Sequence, residues 1–376
     1  MHRGMQLCLA VSLLNLWACR SLPMKEINSY GLQLVSVDLK AEDMGRLNSQ
    51  VQSKRPVAAT IRIAGSMRTQ CQVSYAGRSS LDAYRKSFEL DFCDQTYRGR
   101  ESYRLSAQSV DRTMLRSLVG YPIFQAVELK TPEVEAAAAY VNKDYLGLYL
   151  LLETVDREFY GKRKVAVREI YKARFGNAGF QRDFLNRLSE AFSVEDKPDN
   201  YTFLKELYEA LWSIDDDAVF YRRADQLLDI DNFLRYMAAA VFVCHWDGLN
   251  NNYYLGYELE RQKLVTTPWD LDRIWERTGV FTPQSVISIN ALLVRLLKIP
   301  EVRARWIEIL DLLTTRFPLE QLKGEVDRLG ELTAQAYAKD PILSRKTQSE
   351  ELDELKDRME EWYEKIQDYR RQIAIE

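Results

Sequence analysis

The sequence predicts an α+β fold of two lobes, with a mixed or antiparallel β-rich N-lobe and a mainly helical C-lobe. Segments with the two-residue alternation of strands dominate the first part of the chain, and segments with helical spacing of apolar residues dominate the rest. The 376 residues are 46% hydrophobic and include only 10 Pro and 16 Gly, which is enough for one large or two medium cores. We therefore expect an N-lobe over residues 31–155 and a C-lobe over residues 156–376.

Four strands are predicted between Gln33 and Phe92, because LQLVSVDL, VAATIRIAG, CQVSYAG and SFELDF each alternate partly between apolar and polar residues. A helix is predicted from about Asp111 to Val127, where apolar residues share one face. Two further strands, AAAAYVN and LGLYLLLE, are joined by a turn at Lys143 and Asp144. These elements predict a sheet with one helix packed on it.

Helices are predicted to dominate after Thr154. FQRDFLNRLSEAF and TFLKELYEALWSI are amphipathic and are separated by a loop from Asp196 to Asn200. The apolar helix LLDIDNFLRYMAAAVFVC then leads into a loop, which is followed by the strands YYLGYEL and KLVTTPW. Four more helical segments follow Arg277: INALLVRLLK, ARWIEILDLLTTRF, LEQLKGEVDRLGELTAQAY and EELDELKDRMEEWYEKIQDYRRQI.

The N-terminus has the pattern of an export signal. The apolar stretch from Met5 to Trp17 is too short to span a bilayer comfortably, and Leu16–Cys19 is similar to a bacterial lipobox. We expect a signal peptide over residues 1–18 and a lipid on Cys19, with a tether over residues 19–30. The lipid would then be the only membrane contact of a cell-envelope protein that faces the periplasm or the exterior. A plain signal peptide and a buried N-terminal helix are the alternatives.

Charge and histidine content argue against two classes of protein. The 52 basic and 55 acidic residues give a net charge of −3, so the chain has no electrostatic footprint for nucleic acid. With only two His and no C-x-x-C pair, a zinc site is not expected.

Two cysteines are candidates for a disulfide bond. If TQCQVSY and KSFELDFC pair antiparallel around residue 82, Cys71 and Cys93 lie opposite each other. Two buried free thiols are the alternative. Cys244 lies in an apolar run and is expected to be a core thiol.

The segment HWDGLNNN contains the most informative motif. His245, Asp247 and Asn252 match the spacing H-x-D-x-x-x-x-N, in which the Asp orients and deprotonates an attacking hydroxyl and the Asn binds a metal ion. His245 is expected to brace this loop rather than to transfer protons. The later segment PWDLD places Asp270 where it could hold Mg²⁺, with Asp272 as a second ligand or as support for the loop. The alternative is a buried His and a loop Asp that caps a turn.

Three further segments accompany this motif: GRSSLDAYRKSFELDF from Gly77 to Phe92, YVNKDYLGLYLLLETVDREF from Tyr140 to Phe159, and the helix LKDRMEEWYEKIQ. Together with the motif they resemble the spore-coat-protein-H (CotH) family of atypical secreted protein kinases, over about residues 30–372. Ala76 stands where the family usually has Arg, and Arg78 stands where a small amide residue is usual. The resemblance implies that the two-lobed fold is an atypical protein-kinase-like fold.

The resemblance also implies that ATP binds between the lobes with Mg²⁺, or with Mn²⁺ as an alternative. Lys86 matches the family's phosphate-binding Lys, and its neighbouring Arg is expected to share the task; a solvated basic pair is the alternative. The loop at Gly77 would let the backbone approach phosphate, although a plain hairpin turn would look the same. Glu153 is expected at the hinge beside the adenine. The expected cofactor-binding residues are Lys86, Arg85, Gly77, Ser79, Ser80 and Glu153.

We therefore expect an exported, ATP- and Mg²⁺-dependent kinase-like enzyme that phosphorylates Ser or Thr of surface or secreted proteins. One alternative is a catalytically inactive surface lipoprotein that uses the same fold as a binding or structural module. Another is an enzyme that transfers the nucleotidyl group instead of phosphate.

Overall fold

The computed structural model describes residues 27–373, apart from residues 64, 94 and 196–199 and the side chain of Ser79. The predicted signal peptide and the lipidation site at Cys19 lie outside the described residues. Within the described part of the chain, no helix is both long and apolar enough to cross a membrane.

The β-rich part of the chain is a closed barrel with the strand order β1-β2-β3-β4-β5-β7-β6. The first and sixth strands pair in parallel, and the other neighbours are antiparallel. Inward side chains such as Val37, Val73, Leu90 and Leu105 are fully buried and form the core of the barrel. The strands are β1 (Gln33–Asp38), β2 (Val57–Ile63), β3 (Ser66–Ala76), β4 (Ser87–Asp91), β5 (Ser102–Ser106), β6 (Val134–Val141) and β7 (Asp144–Leu152).

The α+β class is confirmed, but closure of the N-terminal strands into a barrel was not predicted. Closure depends on β5, which the sequence pattern did not indicate, and on the parallel pairing of β1 with β6, which joins strands about one hundred residues apart. A closed barrel has no open edge strand, so the backbone hydrogen bonds of its strands are satisfied within the sheet. The result differs from the simple sheet expected for an N-lobe.

A second, four-stranded sheet has the order β11-β10-β8-β9. The hairpin predicted from YYLGYEL and KLVTTPW is confirmed, but β8 was not predicted, and FQRDFLNRLSEAF is not one helix because it is interrupted and ends in β9. The strands are β8 (Val167–Ala173), β9 (Phe192–Val194), β10 (Tyr253–Glu258) and β11 (Lys263–Pro268).

Helices surround this second sheet and supply most of the larger hydrophobic core. The predicted helix from Asp111 begins five residues later, at Arg116, because the Asp111 carboxylate accepts hydrogen bonds from the backbone N–H groups of Thr113 and Arg116. The helices are α1 (Ala41–Ser49), α2 (Arg116–Ala126), α3 (Arg157–Lys162), α4 (Leu188–Ala191), α5 (Thr202–Ser213), α6 (Asp217–Leu227), α7 (Ile230–Phe242), α8 (Pro283–Ile287), α9 (Ala291–Leu296), α10 (Pro300–Arg316), α11 (Leu319–Lys339) and α12 (Gln348–Ile373).

Helix α7 is the central support of the helical part. Its N-cap Asp229 accepts a hydrogen bond from the Asn232 N–H, and the apolar residues from Met237 to Phe242 are fully or almost fully buried. Helix α12 packs across its end, where the Trp362 Nε1 donates to the Val241 carbonyl over 2.8 Å. The segment that contains the H-x-D-x-x-x-x-N motif leaves the end of α7, so its position is fixed by this core.

The buried carboxylate of Asp340 joins the barrel to the helical part. It accepts a hydrogen bond from Arg85 Nη1 over 2.9 Å and another from the backbone N–H of Leu148 in β7 over 2.8 Å. It also caps the turn after α11 by accepting the N–H groups of Ile342 and Leu343. One fully buried side chain therefore holds three separate segments of the chain together.

The predicted register between Cys71 and Cys93 is wrong by one residue. Strands β3 and β4 pair Gln72 with Asp91, so the two Cys positions are not directly opposite each other. The structure has no disulfide bond between them, and Cys71 pairs instead with Ala59 in β2. Burial raises the pKa of the Cys71 thiol, and the neighbouring Cys93 raises it further.

Replacement of Asp340 with Ala is expected to lower the free energy of unfolding by roughly 3–5 kcal/mol, because the Arg85 guanidinium would remain buried without its partner. Denaturant unfolding of the purified chain measures this change. The exposed pair Arg371–Asp368 supplies the control, and Asp368→Ala should change the free energy by less than about 1 kcal/mol. Equal effects of the two substitutions would contradict the role assigned to Asp340.

Candidate functional site

A cleft of about 440 Å³ lies between the barrel and the second sheet. The barrel contributes the loop after β3 and residues of β5, and the helical part contributes β8 and the segments that follow α7 and β11. Most of the predicted chemistry-bearing residues converge here. The predicted residues that line the cleft are Gly77, Ser80, Asp247, Asn252, Asp270 and Asp272.

Asp247 is held in the cleft by two amide side chains. It lies in a short 3-10 helix, Trp246–Leu249, which begins directly after the end of the α7 segment. Its carboxylate accepts a hydrogen bond from Asn252 Nδ2 over 3.0 Å and one from Asn251 Nδ2 over 3.3 Å. The sequence motif indicated Asn252, whereas the contribution of Asn251 was missed because a run of three Asn does not reveal which of them faces the cleft.

His245 is completely buried behind the cleft and does not line it. Its ring lies against the backbone of Gly248, where an added Cβ would be 2.0 Å from His245 Cδ2. Burial lowers the pKa of His245 to about 4, although the backbone near Trp269 and Asn252 opposes that shift. The imidazole is therefore neutral at pH 7, which suits a residue that braces the loop.

Three carboxylates share the cleft and disfavour one another's ionisation. Burial raises the pKa of Asp247, and the charge of Asp270 raises it further. Burial is also the largest cause of the raised pKa of Asp270, which is partly offset by Arg104, Lys172 and Arg273. A cation bound among these groups would relieve the repulsion.

Of these three carboxyl groups, Asp272 has the most strongly raised pKa. Burial raises the pKa of Asp272 well above its ordinary value, and the charges of Asp270 and Asp111 add to the effect. Asn252 Nδ2 also approaches the Asp270 carbonyl at 3.5 Å, so the two loops meet at this point.

No group of three or more His, Cys, Asp or Glu side chains that could hold a metal ion occurs among the described residues. The cleft instead combines the half-buried carboxylates of Asp270 and Asp272 with the amide of Asn252. Mg²⁺ usually binds one or two protein carboxylates together with water and substrate phosphates, so this hard oxygen set fits that ion.

Two cations from different strands face the carboxylates. Arg104 of β5 forms an ion pair with Glu89 over 2.9 Å and lies 5.2 Å from the centre of a Trp269 ring. Lys172 of β8 lies 5.6 Å from the same ring, and burial together with the charge of Arg104 lowers the pKa of its ammonium group. Sequence reasoning missed both residues because neither of the strands that carry them, β5 and β8, was predicted.

The structure does not bring Lys86, Arg85 or Glu153 to the cleft. Lys86 directly precedes β4 and, unlike the neighbouring Ser87, does not line the cleft. Its ammonium group donates to the Ala83 carbonyl over 3.1 Å.

Arg85 and Glu153 instead have partners outside the cleft. Arg85 pairs with Asp340, and its guanidinium also lies 4.3 Å from the ring centre of Tyr149. Glu153 is fully buried and pairs with Arg163 over 2.6 Å. Both residues therefore contribute to packing around the barrel rather than to the lining of the cleft.

The loop predicted to approach phosphate does reach the cleft. Gly77 has a φ of +102°, and a Cβ added there would lie 1.9 Å from Ser80 Oγ, so only Gly fits without displacing that hydroxyl. Ser79 begins the short 3-10 helix Ser79–Leu81.

The part of the chain that forms the cleft is similar to known proteins. The CotH kinase protein family matches residues 73–372. Inner spore coat protein H of Bacillus subtilis (strain 168) is 26% identical over 314 residues, which cover 80% of this chain and 86% of that protein. The matched range includes the barrel strands from β3 onward and all the residues that line the cleft except Lys54.

Replacement of Asp272 with Asn is expected to raise the melting temperature at pH 7 in chelator-containing buffer by about 2 °C or more, the size that roughly 1 kcal/mol produces. The raised pKa means that the folded state binds the proton more tightly than the unfolded chain, so ionisation costs stability as the pH rises. The gain should therefore be present at pH 7 and should fade near pH 4, where an unfolded Asp also becomes protonated. Calorimetry at both pH values, with exposed Asp183→Asn as the control, checks this; a lower melting temperature at pH 7 would contradict it.

Proposed function

The chain belongs to the family of CotH kinase proteins, and on this premise we propose that it is an ATP- and Mg²⁺-dependent phosphotransferase that modifies Ser or Thr hydroxyls of surface or secreted proteins. The observation that carries this proposal is the convergence of Asp247, Asn252 and Asp270 on one cleft that is also lined by two cations, Arg104 of β5 and Lys172 of β8. Phosphoryl transfer needs these two kinds of group, because the phosphates are anionic and the attacking hydroxyl must be oriented.

Arg104 and Lys172 are the proposed phosphate contacts. Arg104 is held in place by Glu89 and by the Trp269 ring, which reduces the entropy lost when it binds an anion. The pKa of Lys172 is lowered by burial and by Arg104, and an anion beside it would favour its charged form. These two residues take the role that the sequence resemblance implied for Lys86 and Arg85.

Asp270 and Asn252 would hold Mg²⁺, and Asp272 would act as a further ligand or as support for its loop. When bound, the ion would neutralise phosphate charge and bridge the nucleotide to the protein. Mn²⁺ uses the same hard oxygen donors and is a proposed alternative. Removal of the ion with a chelator should therefore stop transfer.

Asp247 would orient the acceptor hydroxyl and accept its proton. Burial and the nearby Asp270 raise the pKa of the Asp247 carboxyl, which makes it a better proton acceptor than an exposed Asp. The Asn251 and Asn252 amides fix its orientation, and His245 braces the loop from behind.

The proposed location is the cell envelope. The related protein is named a spore coat protein, and the N-terminal sequence of this chain has the pattern of a lipoprotein signal. We infer attachment through a lipid on Cys19, with no other membrane contact and no nucleic-acid partner. Loss of membrane association in a Cys19→Ala chain, measured by fractionation, would support the lipid anchor, and unchanged association would refute it.

Intact-mass measurement after incubation with ATP and Mg²⁺ tests the proposed chemistry. The protein itself and a Ser-rich acceptor protein should gain the mass of phosphate. A gain of a nucleotide mass would instead indicate nucleotidyl transfer, and nucleotide binding without any mass change would indicate a binding module.

Replacement of Asp247 with Asn should lower the rate of phosphate transfer at least ~100-fold, because the isosteric amide cannot accept the proton. The fold and the affinity for ATP should remain, since Asp247 contacts the acceptor in the proposed mechanism. Radiolabelled transfer and calorimetric ATP binding measure the two effects, with Asp183→Asn as the control. An unchanged transfer rate would remove Asp247 from the mechanism.

The variants Arg104→Gln and Lys86→Gln should distinguish the proposed phosphate contact from the one that the sequence resemblance implied. Arg104→Gln is expected to raise KM for ATP roughly tenfold or more, the scale of one lost charge-assisted hydrogen bond. Lys86→Gln should change it by less than about threefold, since that ammonium group does not line the cleft and donates to the Ala83 carbonyl. A larger increase in KM for Lys86→Gln than for Arg104→Gln would identify Lys86 as the phosphate contact.

A further inference from the structure

Two arginines share one aromatic ring at the edge of the cleft. The guanidinium carbon of Arg78 lies 3.8 Å from the ring centre of Phe175, and that of Arg174 lies 4.6 Å from it. The Phe175 side chain is 50% exposed, which is unusual for a ring of this size. The ring is therefore in contact with two cations and remains accessible to a ligand.

Neither arginine has an acidic partner among the described residues. Most arginines of the chain form ion pairs within 4 Å of a carboxylate, but Arg78 and Arg174 do not. The neighbouring charge of Arg174 adds to burial in lowering the pKa of Arg78. Two neighbouring guanidinium groups that form no ion pair are an attractive site for an anion.

The position of the pair indicates which ligand it meets. Both arginines line the cleft, and the field of Asp247 acts on Arg78. The proposed phosphate contacts Arg104 and Lys172 instead act on Asp270. Because Asp247 faces the acceptor hydroxyl in the proposed function, the arginine pair lies on the side where the acceptor would enter.

We propose that Arg78, Arg174 and Phe175 form an acceptor-recognition surface that selects Ser or Thr residues flanked by acidic side chains. This inference rests on the proposed function for the identity of the acceptor group. Carboxylates of the acceptor would accept hydrogen bonds from the two guanidinium groups, which present planar donor forks. The exposed Phe175 ring would pack against apolar parts of the same segment.

Binding measurements test the recognition surface without requiring catalysis. Short fluorescent peptides with a central Ser flanked by Glu, Gln or Lys are titrated with the full chain, and anisotropy gives each Kd. The Glu-flanked peptide should bind roughly tenfold more tightly than the Gln-flanked one, the scale of two partly exposed ion pairs. The preference should weaken as salt is added, because these charges are accessible to screening ions.

Substitutions then locate the preference. The double variant Arg78→Gln/Arg174→Gln should bind the Glu and Gln peptides about equally. The reversal Arg78→Glu/Arg174→Glu should favour the Lys-flanked peptide. Arg370→Gln/Arg371→Gln removes the same two charges from the surface of α12 and should keep the wild-type preference. Equal binding of Glu and Gln peptides by the wild type, or a Glu preference that survives the double substitution, would overturn the proposal.

The same variants distinguish this inference from the proposed function. A double variant that loses affinity for ATP but keeps its peptide preference would assign the pair to the nucleotide and would also overturn the inference. Glu-selective binding without any phosphate transfer would refute the proposed function and leave the recognition surface standing. Transfer to Gln-flanked peptides without a Glu preference would support the proposed function and overturn the recognition surface.

Discussion

The relative placement of the barrel and the helical part depends on the buried carboxylate of Asp340. Its hydrogen bonds reach Arg85 before β4, the backbone of β7 and the turn after α11, which are far apart in sequence. A buried charge of this kind is weak evidence for stability as such, but it tolerates few geometries because each donor must be matched. The cleft lies between the two parts that Asp340 joins. The hydrogen bonds of Asp340 therefore also limit how far apart the two sides of the cleft can lie.

Like charges lie close together within the cleft. Asp247, Asp270 and Asp272 repel one another, and Arg104 of the barrel and Lys172 of the second sheet also repel each other. A site of this type is electrostatically unfavourable when empty and becomes favourable when a cation and an anion bind together. In the proposed function, the metal ion would be that cation and the nucleotide would be that anion. The charges that are already in place before binding would therefore be the ones that attract both ligands.

The sequence predicted the part of the site that depends on spacing along the chain. The motif from His245 to Asn252 and the later Asp270 follow continuous apolar segments, so their positions could be inferred from the elements before them. The contribution of Arg104 and Lys172 depends on strand faces and register, which a single sequence specifies poorly. Lys86 lies just before β4 and does not line the cleft, and β8, which carries Lys172, was not recognised because its charged residues interrupt the apolar pattern. The one-residue error at Cys71 has the same origin.

The contact between the His245 ring and the backbone of Gly248 also affects how the pH dependence of this protein should be interpreted. An acid limb in the activity of an enzyme with a motif histidine is commonly attributed to imidazole, whose ordinary pKa lies near neutrality. Here the imidazole stays neutral down to about pH 4, while the carboxylates in front of it have raised pKa values. A loss of activity in mildly acidic solution would therefore be assigned to the aspartates, and the loop that carries Asp247 would keep its shape through that titration.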